Sequence, residues 1–362
     1  MSGSLDISSS TGDYSVRVTP DALSEFATTD EDRILICDEF FEPFFASRGV
    51  RFISIPARES QKSLDAIPEL IARLRGLQSA RSTRIVAVGG GIVQDVSAFC
   101  ASIYMRGVPW TYVPTTLLGM VDSCIGGKSS INVGSFKNLV GTFYPPTEVV
   151  IDPQVTATLS ADQWTAGLCE AAKITFCRGD AAYEDYLACL SEDRGDMDRL
   201  SMLIAHSLQC KKWFIEIDEF DRGERLLLNL GHTFGHGIES ASVYRISHGV
   251  AVGIGIVAAL RLSVGLGVNI KCLPVVQALE EHILDELARV PELKLLITVL
   301  DSRDVVESIA ADKKHTPSQF TFITVSGTGR AELRRLPKSD EARAAIADAV
   351  ELAIDAVSAA ME

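Results

Sequence analysis

The sequence predicts an α/β domain built on a mostly parallel sheet, followed by a mostly α-helical domain. Three observations carry this. From about residue 33 to 153, β-rich runs alternate with stretches of helical spacing. Alternation of that kind builds parallel sheets flanked by helices. After Ser160 the apolar spacing becomes helical almost throughout. No low-complexity linker, internal repeat or charge block separates the two regimes, so the boundary falls near 153–160, giving domains 1–155 and 156–362.

The expected strands are 34–37 (ILIC), 50–55 (VRFISI), 84–88 (RIVAV), 110–113 (WTYV) and 148–151 (EVVI), short apolar runs rich in β-branched residues. Helices are expected between them at 60–77 and 93–104. Ser160 reads as the N-cap of a long helix through Glu170 and Lys173. Further helices are expected at 198–217, 229–243, 248–266, 274–289 and 302–311. Within this helical half, 320–325 (FTFITV) and 331–336 flank a Ser-Gly-Thr-Gly turn and predict a hairpin. The alanine-rich tail from Ser339 predicts a closing helix.

Bulk properties narrow the function. A 362-residue chain with 47% hydrophobic residues can bury two cores. Its net charge of −14 argues against nucleic-acid partners, whose phosphates would be repelled. The most apolar stretch, 249–266, contains Arg261 and several glycines and reads as a buried helix rather than a membrane span. The polar N-terminus lacks a basic flank and an apolar h-region, so no signal peptide is read and a cytoplasmic protein is expected. The eight cysteines form no CxxC pair and are expected to be reduced core thiols.

Four groups of residues carry candidate chemistry. Strand RIVAV runs into Gly89-Gly90-Gly91 and on through Ile92 to Asp95, opening a helix. Glycines there let a backbone approach a pyrophosphate at a helix N-terminus. The triplet is not the GxGxxG fingerprint and fits a structural turn as well. Asp38, ending the first expected strand, suits a ribose hydroxyl or a turn.

Three of the six histidines, His232, His236 and His248, fall within seventeen residues in Gly-rich surroundings. The first two share a helical face at i, i+4. With a carboxylate from LCEAAK (168–173), two histidines would leave an open position on a zinc-like ion, as catalytic sites do. Glu170 and Lys173 stand i, i+3; that spacing also suits a surface ion pair, but the neighbours of Glu170 are apolar. Finally, Lys128, Lys137, Asn138, Lys211, Arg225, Asn229, Lys313 and Lys314 sit in Gly-rich or helix-edge contexts. The loop GGKSSINVGSFKN (126–138) and Pro-Thr-Thr (114–116) add the donors a phosphate site requires.

Read in order, these motifs resemble the 3-dehydroquinate synthase family. The matching strings are GGGIVQD (89–95), YMRGVPWTYVPTTLLGMVDSCIGGKSSIN (104–132), KNLVGTFYPP (137–146), AGLCEAAK (166–173), RLLLNLGHTFGHGIE (225–239), HGVAVG (248–253) and DKK (312–314). The likeness runs from about residue 34 to 325. It implies a Rossmann-like NAD-binding domain, a helical metal-binding domain and a homodimer. It also implies that Glu170, His232 and His248 ligate zinc or cobalt, while His236 serves substrate and proton handling. Lys128, Lys173, Lys211, Arg225, Asn229, Lys313 and Lys314 would hold an anionic sugar-phosphate substrate, with Asp122 at its ring. The positions implied for NAD are Asp38, Glu59, Lys62, Gly90, Gly91, Ile92, Asp95, Thr115, Thr116, Asp122, Lys128, Lys137, Asn138 and Thr158.

The implied reaction is a transient NAD-assisted oxidation, phosphate elimination, re-reduction and intramolecular aldol closure to a carbocycle. Four departures from the family's usual pattern bear on substrate: Asp221 for Glu, Val250 for the acid of HGEAV, Phe136 before Lys137, and Arg58 for Gly. Sister cyclases share the scaffold: 2-deoxy-scyllo-inosose synthase, aminodehydroquinate synthase and the sedoheptulose-phosphate cyclases. Arg225 favours a carboxylate-bearing substrate, because a guanidinium pairs with a carboxylate through two parallel hydrogen bonds. A metal-dependent polyol dehydrogenase is the rival from another reaction class.

Overall fold

The computed structural model describes residues 4–134, 136–312 and 315–362. Among them the strands are β1 Ser4–Ile7, β2 Tyr14–Val18, β3 Arg33–Asp38, β4 Phe52–Ile55, β5 Arg84–Gly89, β6 Trp110–Pro114, β7 Ile131–Val133, β8 Phe136–Val140, β9 Glu148–Ile151, β10 Gln319–Val325 and β11 Ala331–Pro337. The first helices are α1 Ala22–Phe26, α2 Glu42–Ala46, α3 Ile67–Gly76 and α4 Gly91–Ile103. Then come α5 Ala161–Arg178, α6 Asp180–Cys189, α7 Met197–Ile217, α8 His232–Ala241 and α9 His248–Gly265. The last are α10 Pro274–Ala288, α11 Leu293–Ile297, α12 Ser302–Ala311 and α13 Asp340–Ala360.

Two compact units result, Met1–Thr158 with Ser191–Glu219, and Leu159–Leu190 with Phe220–Glu362. Beside the single cut expected near residue 155, the segment bearing α7 lies in the first unit.

The first unit is built on a seven-stranded sheet of order β1-β2-β9-β6-β5-β3-β4. All neighbours pair in parallel except β1 with β2. Strands β3, β5, β6 and β9 are nearly continuous runs of buried apolar residues, as strands covered on both faces require. One core cluster gathers Leu35, Cys37, Phe45, Val86, Val88, Val113 and Val150. Strands β1 and β2 were not expected: their residues lie in a polar, Ser-rich stretch whose apolar signal is weak. They are recruited by backbone pairing, Val16 opposite Val149. The loop 126–138 likewise holds β7 and opens β8, an antiparallel pair.

In the second unit, α9 is surrounded by α5, α8, α10, α13 and β10. It is long and apolar enough to cross a membrane by composition, yet 78% of it is buried within the protein. Its apolar character is that of a core helix. Helix α5 opens on a capping box, Ser160 with Gln163, and α13 on a Ser339 cap. The hairpin β10–β11 pairs Val325 with Ala331 across the expected turn, and Val325 N donates to Ser263 Oγ of α9 at 3.0 Å. All eight cysteines are free thiols.

Candidate functional site

The second unit brings Glu170, His232 and His248 together from three helices, and glycines make the approach possible. A Cβ on Gly249 would stand 2.5 Å from the Ala166 carbonyl oxygen, so the first turn of α9 lies directly on α5. A Cβ on Gly255 would stand 2.1 Å from Gly231 O, which brings α8 equally close to α9. Gly231 itself has φ +78°, a left-handed conformation in which glycine carries no steric cost, one residue before His232. Ser247, the N-cap of α9, donates to Asp162 Oδ1 at 3.0 Å, which ties the residue preceding His248 to α5. Burial raises the Asp162 carboxyl above the usual carboxylate range, with the Ser247 bond opposing it.

Glu170 is only 1% exposed. Its Oε1 atom has no hydrogen-bond partner. That atom stands 3.6 Å from His232 Nε2 and 3.6 Å from His248 Nε2. Those separations are too long for hydrogen bonds. With bonds of about 2.0–2.2 Å, ligand atoms around a tetrahedral ion lie about 3.3–3.6 Å apart. A buried, unsatisfied carboxylate oxygen at that distance from two imidazole nitrogens therefore fits a divalent ion. The other oxygen, Oε2, accepts from the Lys173 ammonium, itself 2% exposed. The i, i+3 pair is thus a buried one and not a solvated surface bridge.

Outer partners orient both rings. His248 Nδ1 donates to Glu239 Oε2 at 2.9 Å, and His232 Nδ1 lies 3.4 Å from Leu230 O. Burial alone would lower the His248 pKa; the Glu239 carboxylate, with Glu170 beside it, outweighs burial and raises it. His236 lies against the His232 and His248 rings, with centroids 5.7 Å from each, but no nitrogen of it joins the Glu170 group; its Nδ1 is 3.6 Å from Asp312 Oδ2. The HxxxH spacing therefore does not define the cluster around Glu170, although His236, Glu239 and His248 form a second group with mutually close ligand atoms. Glu239 was missed in the sequence. Its signal was its spacing, three residues after His236 and seven after His232, on the same helical face.

Arg225 is 5% exposed, and Asn229 Nδ2 donates to Leu226 O at 3.0 Å within the same helical turn. Lys313 and Lys314 lie outside the described residues.

In the first unit, Gly90 caps α4 with no side-chain hydrogen bond to its first-turn amides. A Cβ on Gly90 would press on Thr116 Cγ2 at 2.9 Å, whereas one on Gly91 would meet nothing within 4 Å. The first turn of α4, carrying Gly91 and Ile92, thus has uncapped amides beside open space, a fit for a pyrophosphate. Thr115 N donates to Gly89 O at 3.1 Å, and Thr116 Oγ1 accepts from Gly119 N at 3.2 Å, holding that edge of the turn.

Around it runs one polar network. Lys62 Nζ lies 2.6 Å from Asp95 Oδ2, and Ser130 N donates to Asp95 Oδ1 at 2.9 Å. Burial pushes the Asp95 carboxyl upward against the pull of Lys62 and the Ser130 amide. Asn132 Nδ2 donates to Glu59 Oε1 at 2.8 Å, Lys137 Nζ lies 3.5 Å from that oxygen, and Asn132 Oδ1 accepts from Asn138 N at 2.9 Å. Asn132 N also donates to Lys62 O at 2.9 Å, so five expected positions (Glu59, Lys62, Asp95, Lys137 and Asn138) are joined through Asn132 of the 126–138 loop.

Asp38 caps the turn after β3, accepting from Phe40 N at 3.0 Å. Thr158 Oγ1 donates to Val155 O at 2.9 Å. Asp122 lies in a π-helical turn, Gly119–Ser123, that Gln94 and Ser123 tie to α4. Its Oδ1 is 2.8 Å from Lys211 Nζ of α7. Lys128 is exposed and bridges Phe143 through its backbone.

The departures separate clearly. Val250 is 1% exposed, a core position in α9 where an acid would lose its hydration. Asp221 adopts φ 61°, and Arg58 pairs with Glu39 at 3.4 Å on the surface. Phe136 is 67% exposed.

Comparison with known proteins agrees with this architecture. The family models described as 3-dehydroquinate synthase N-terminal and C-terminal match residues 47–166 and 167–315. A 3-dehydroquinate synthase from Natranaerobius thermophilus is 38% identical over 322 residues, 87% of this chain and 84% of that protein. One from Latilactobacillus sakei is 35% identical over 80% of this chain and 78% of its own. A crystal structure of 2-deoxy-scyllo-inosose synthase with carbaglucose-6-phosphate, NAD+ and Co2+ superposes with TM-score 0.83 at 23% identity, covering 96% of this chain and 99% of that one. A probable glycerol dehydrogenase from Sinorhizobium meliloti reaches TM-score 0.64 at 16% identity, covering 95% and 97%. These two structures share the fold. The extent and identity of the sequence matches, over both halves and all the described motifs, show that this chain belongs to the 3-dehydroquinate synthase family.

Proposed function

We propose that this chain is a phosphate-eliminating carbon–oxygen lyase, a 3-dehydroquinate synthase-type cyclase acting on a seven-carbon sugar-acid phosphate. The observation that carries the reading is the buried, unpartnered Glu170 Oε1, 3.6 Å from the Nε2 atoms of His232 and His248. The relatives' name and the cofactors in the neighbouring crystal structures support it.

Glu170, His232 and His248 would hold zinc or cobalt, and the open first turn of α4 with Lys62, Asp95 and Lys137 would hold NAD. When bound, NAD supplies a reversible hydride acceptor and the metal polarises the oxygen under oxidation. The chain's own residues bind and orient. Lys173 holds Glu170 in one rotamer through Oε2, leaving Oε1 directed at the histidines. Arg225, nearly buried and always charged, suits the substrate carboxylate, with Asn229 one turn away. Lys128 and Lys211 offer cationic heads to phosphate or hydroxyl oxygens, with Asp122 fixed by Lys211. His236, 3.6 Å from Asp312, would move a proton.

The proposal includes a homodimer, as the family resemblance implies. It also includes a cytoplasmic setting, in keeping with eight free thiols, and no nucleic-acid or membrane partner, in keeping with the net charge of −14.

A phosphate-release screen tests it, using the heptulosonate phosphate, its amino analogue, glucose 6-phosphate and sedoheptulose 7-phosphate, with mass spectrometry of the carbocycle. Release with the heptulosonate phosphate and catalytic NAD is expected. Turnover of one of the other three alone would assign the chain to a sister cyclase. Net NADH from a simple polyol without phosphate release would overturn the cyclase reading. Arg225→Ala is expected to weaken binding most for carboxylate-bearing substrates.

A further inference from the structure

The two nitrogens of the His248 ring face different carboxylates. Nε2 is 3.6 Å from Glu170 Oε1, and Nδ1 is 2.9 Å from Glu239 Oε2. Glu239 lies near the end of α8, its side chain 14% exposed, on the helix that also carries His232 and His236. We infer that Glu239 is a positioning residue of the metal centre, selecting the Nδ1–H tautomer of His248 so that the Nε2 lone pair points at the Glu170 side.

The chemistry requires such a choice. A neutral imidazole carries one proton on either nitrogen, and only the bare nitrogen can ligate an ion. A carboxylate accepting from Nδ1–H fixes the proton there, holds the ring plane and makes Nε2 a stronger donor. The choice matters here because His248 is shared by two groups of ligand atoms, Glu170/His232/His248 and His236/Glu239/His248. Engagement of Glu239 by Nδ1–H directs Nε2 of His248 into the first group and occupies Glu239 on the far side of the ring. Helix geometry supports the same division: Ser247 is bonded to Asp162, so the start of α9 is anchored and the ring has one carboxylate on each side.

This inference rests on Glu170, His232 and His248 being the ligands, and the test separates the two claims. Zinc and cobalt affinities are measured by chelator competition for the wild type, Glu239→Gln, Glu239→Ala and Glu170→Ala. Visible cobalt spectra and the melting temperature of each metal-free protein are recorded alongside. Loss of an outer-sphere carboxylate typically costs about 10- to 100-fold in metal affinity. Glu239→Ala is expected to fall in that range with altered cobalt bands, Glu239→Gln to lose less because its amide oxygen still accepts, and the metal-free melting temperatures of both Glu239 variants to stay with that of the wild type. If Glu239→Ala does not fold, Glu239→Gln, of equal volume, carries the test.

Wild-type affinity in the Glu239 variants while Glu170→Ala loses the ion would overturn the positioning role alone. An equal fall in metal-free melting temperature would assign Glu239 to fold stability and overturn it as well. Full metal retention in Glu170→Ala would overturn the ligand assignment and this inference with it.

Discussion

Gly249 lies against Ala166 so closely that a Cβ on the glycine would stand 2.5 Å from the alanine's carbonyl oxygen and 2.6 Å from its Cα. The contact sets His248, the first residue of α9, against α5, which carries Glu170 one turn after Ala166. Gly249→Ala is therefore expected to destabilise the protein by about 1–3 kcal/mol, the cost of overpacking. It should also weaken metal binding, because the first turn of α9 must move away from α5. Calorimetry and metal content read the two effects; unchanged values for both would show that the helices can separate without cost to the centre.

Glu170 and Lys173 form a buried ion pair, each at most 3% exposed at the side chain. Removing the carboxylate by Glu170→Ala leaves a buried ammonium without it, expected to cost about 3–5 kcal/mol in the metal-free protein. Metal content and turnover should vanish with NAD binding still measurable. A variant with full metal and activity would show that Glu170 is no ligand.

Lys62 neutralises Asp95 at 2.6 Å beside the open first turn of α4. Lys62→Met is expected to raise the Kd for NAD about tenfold, the value of one charge-assisted hydrogen bond. Metal content should not change, because the metal ligands belong to the other unit. Titration calorimetry with NAD, paired with metal analysis, checks both halves.

His282 Nε2 stands 2.7 Å from the Tyr186 hydroxyl, and burial lowers its pKa from 6.5 to about 4, with Arg289 adding to the shift. A group whose proton is taken up more readily by the unfolded chain destabilises the fold as pH falls through the interval between the two values. Stability is thus fully present above about pH 6.5 and declines toward pH 4, by up to about 3 kcal/mol from this residue. Denaturant melts across that interval should show a shallower acid decline for His282→Gln. Parallel curves for the variant and wild type would remove His282 as the source.

Much of this was legible in one dimension. Strands such as 84–88 and helices such as 302–311 announce themselves by apolar periodicity, and β5, α12 and the β10–β11 hairpin appear where that pattern places them. Strands β1 and β2 do not, because they are short and only Ile7, Tyr14 and Val16 among them are buried apolar residues; backbone pairing, β1 to β2 and β2 to β9, places them. Backbone hydrogen bonds leave little trace in residue type.

The site shows the same division. Residue types and spacing say which groups are available: a Gly-rich turn after a strand, three histidines close in the chain, and Glu170 among apolar neighbours. Tertiary structure decided which of them meet. His232 and His236 are neighbours at i, i+4, yet Glu170 Oε1 lies 3.6 Å from His248 as well as His232, with His236 turned toward Asp312. The cause is helix packing through Gly249 and Gly255, an approach between elements that no local spacing encodes. The same packing made Glu239 the partner of His248. In the other unit, the path of the chain through the sheet joined Lys62 to Asp95, thirty-three residues apart.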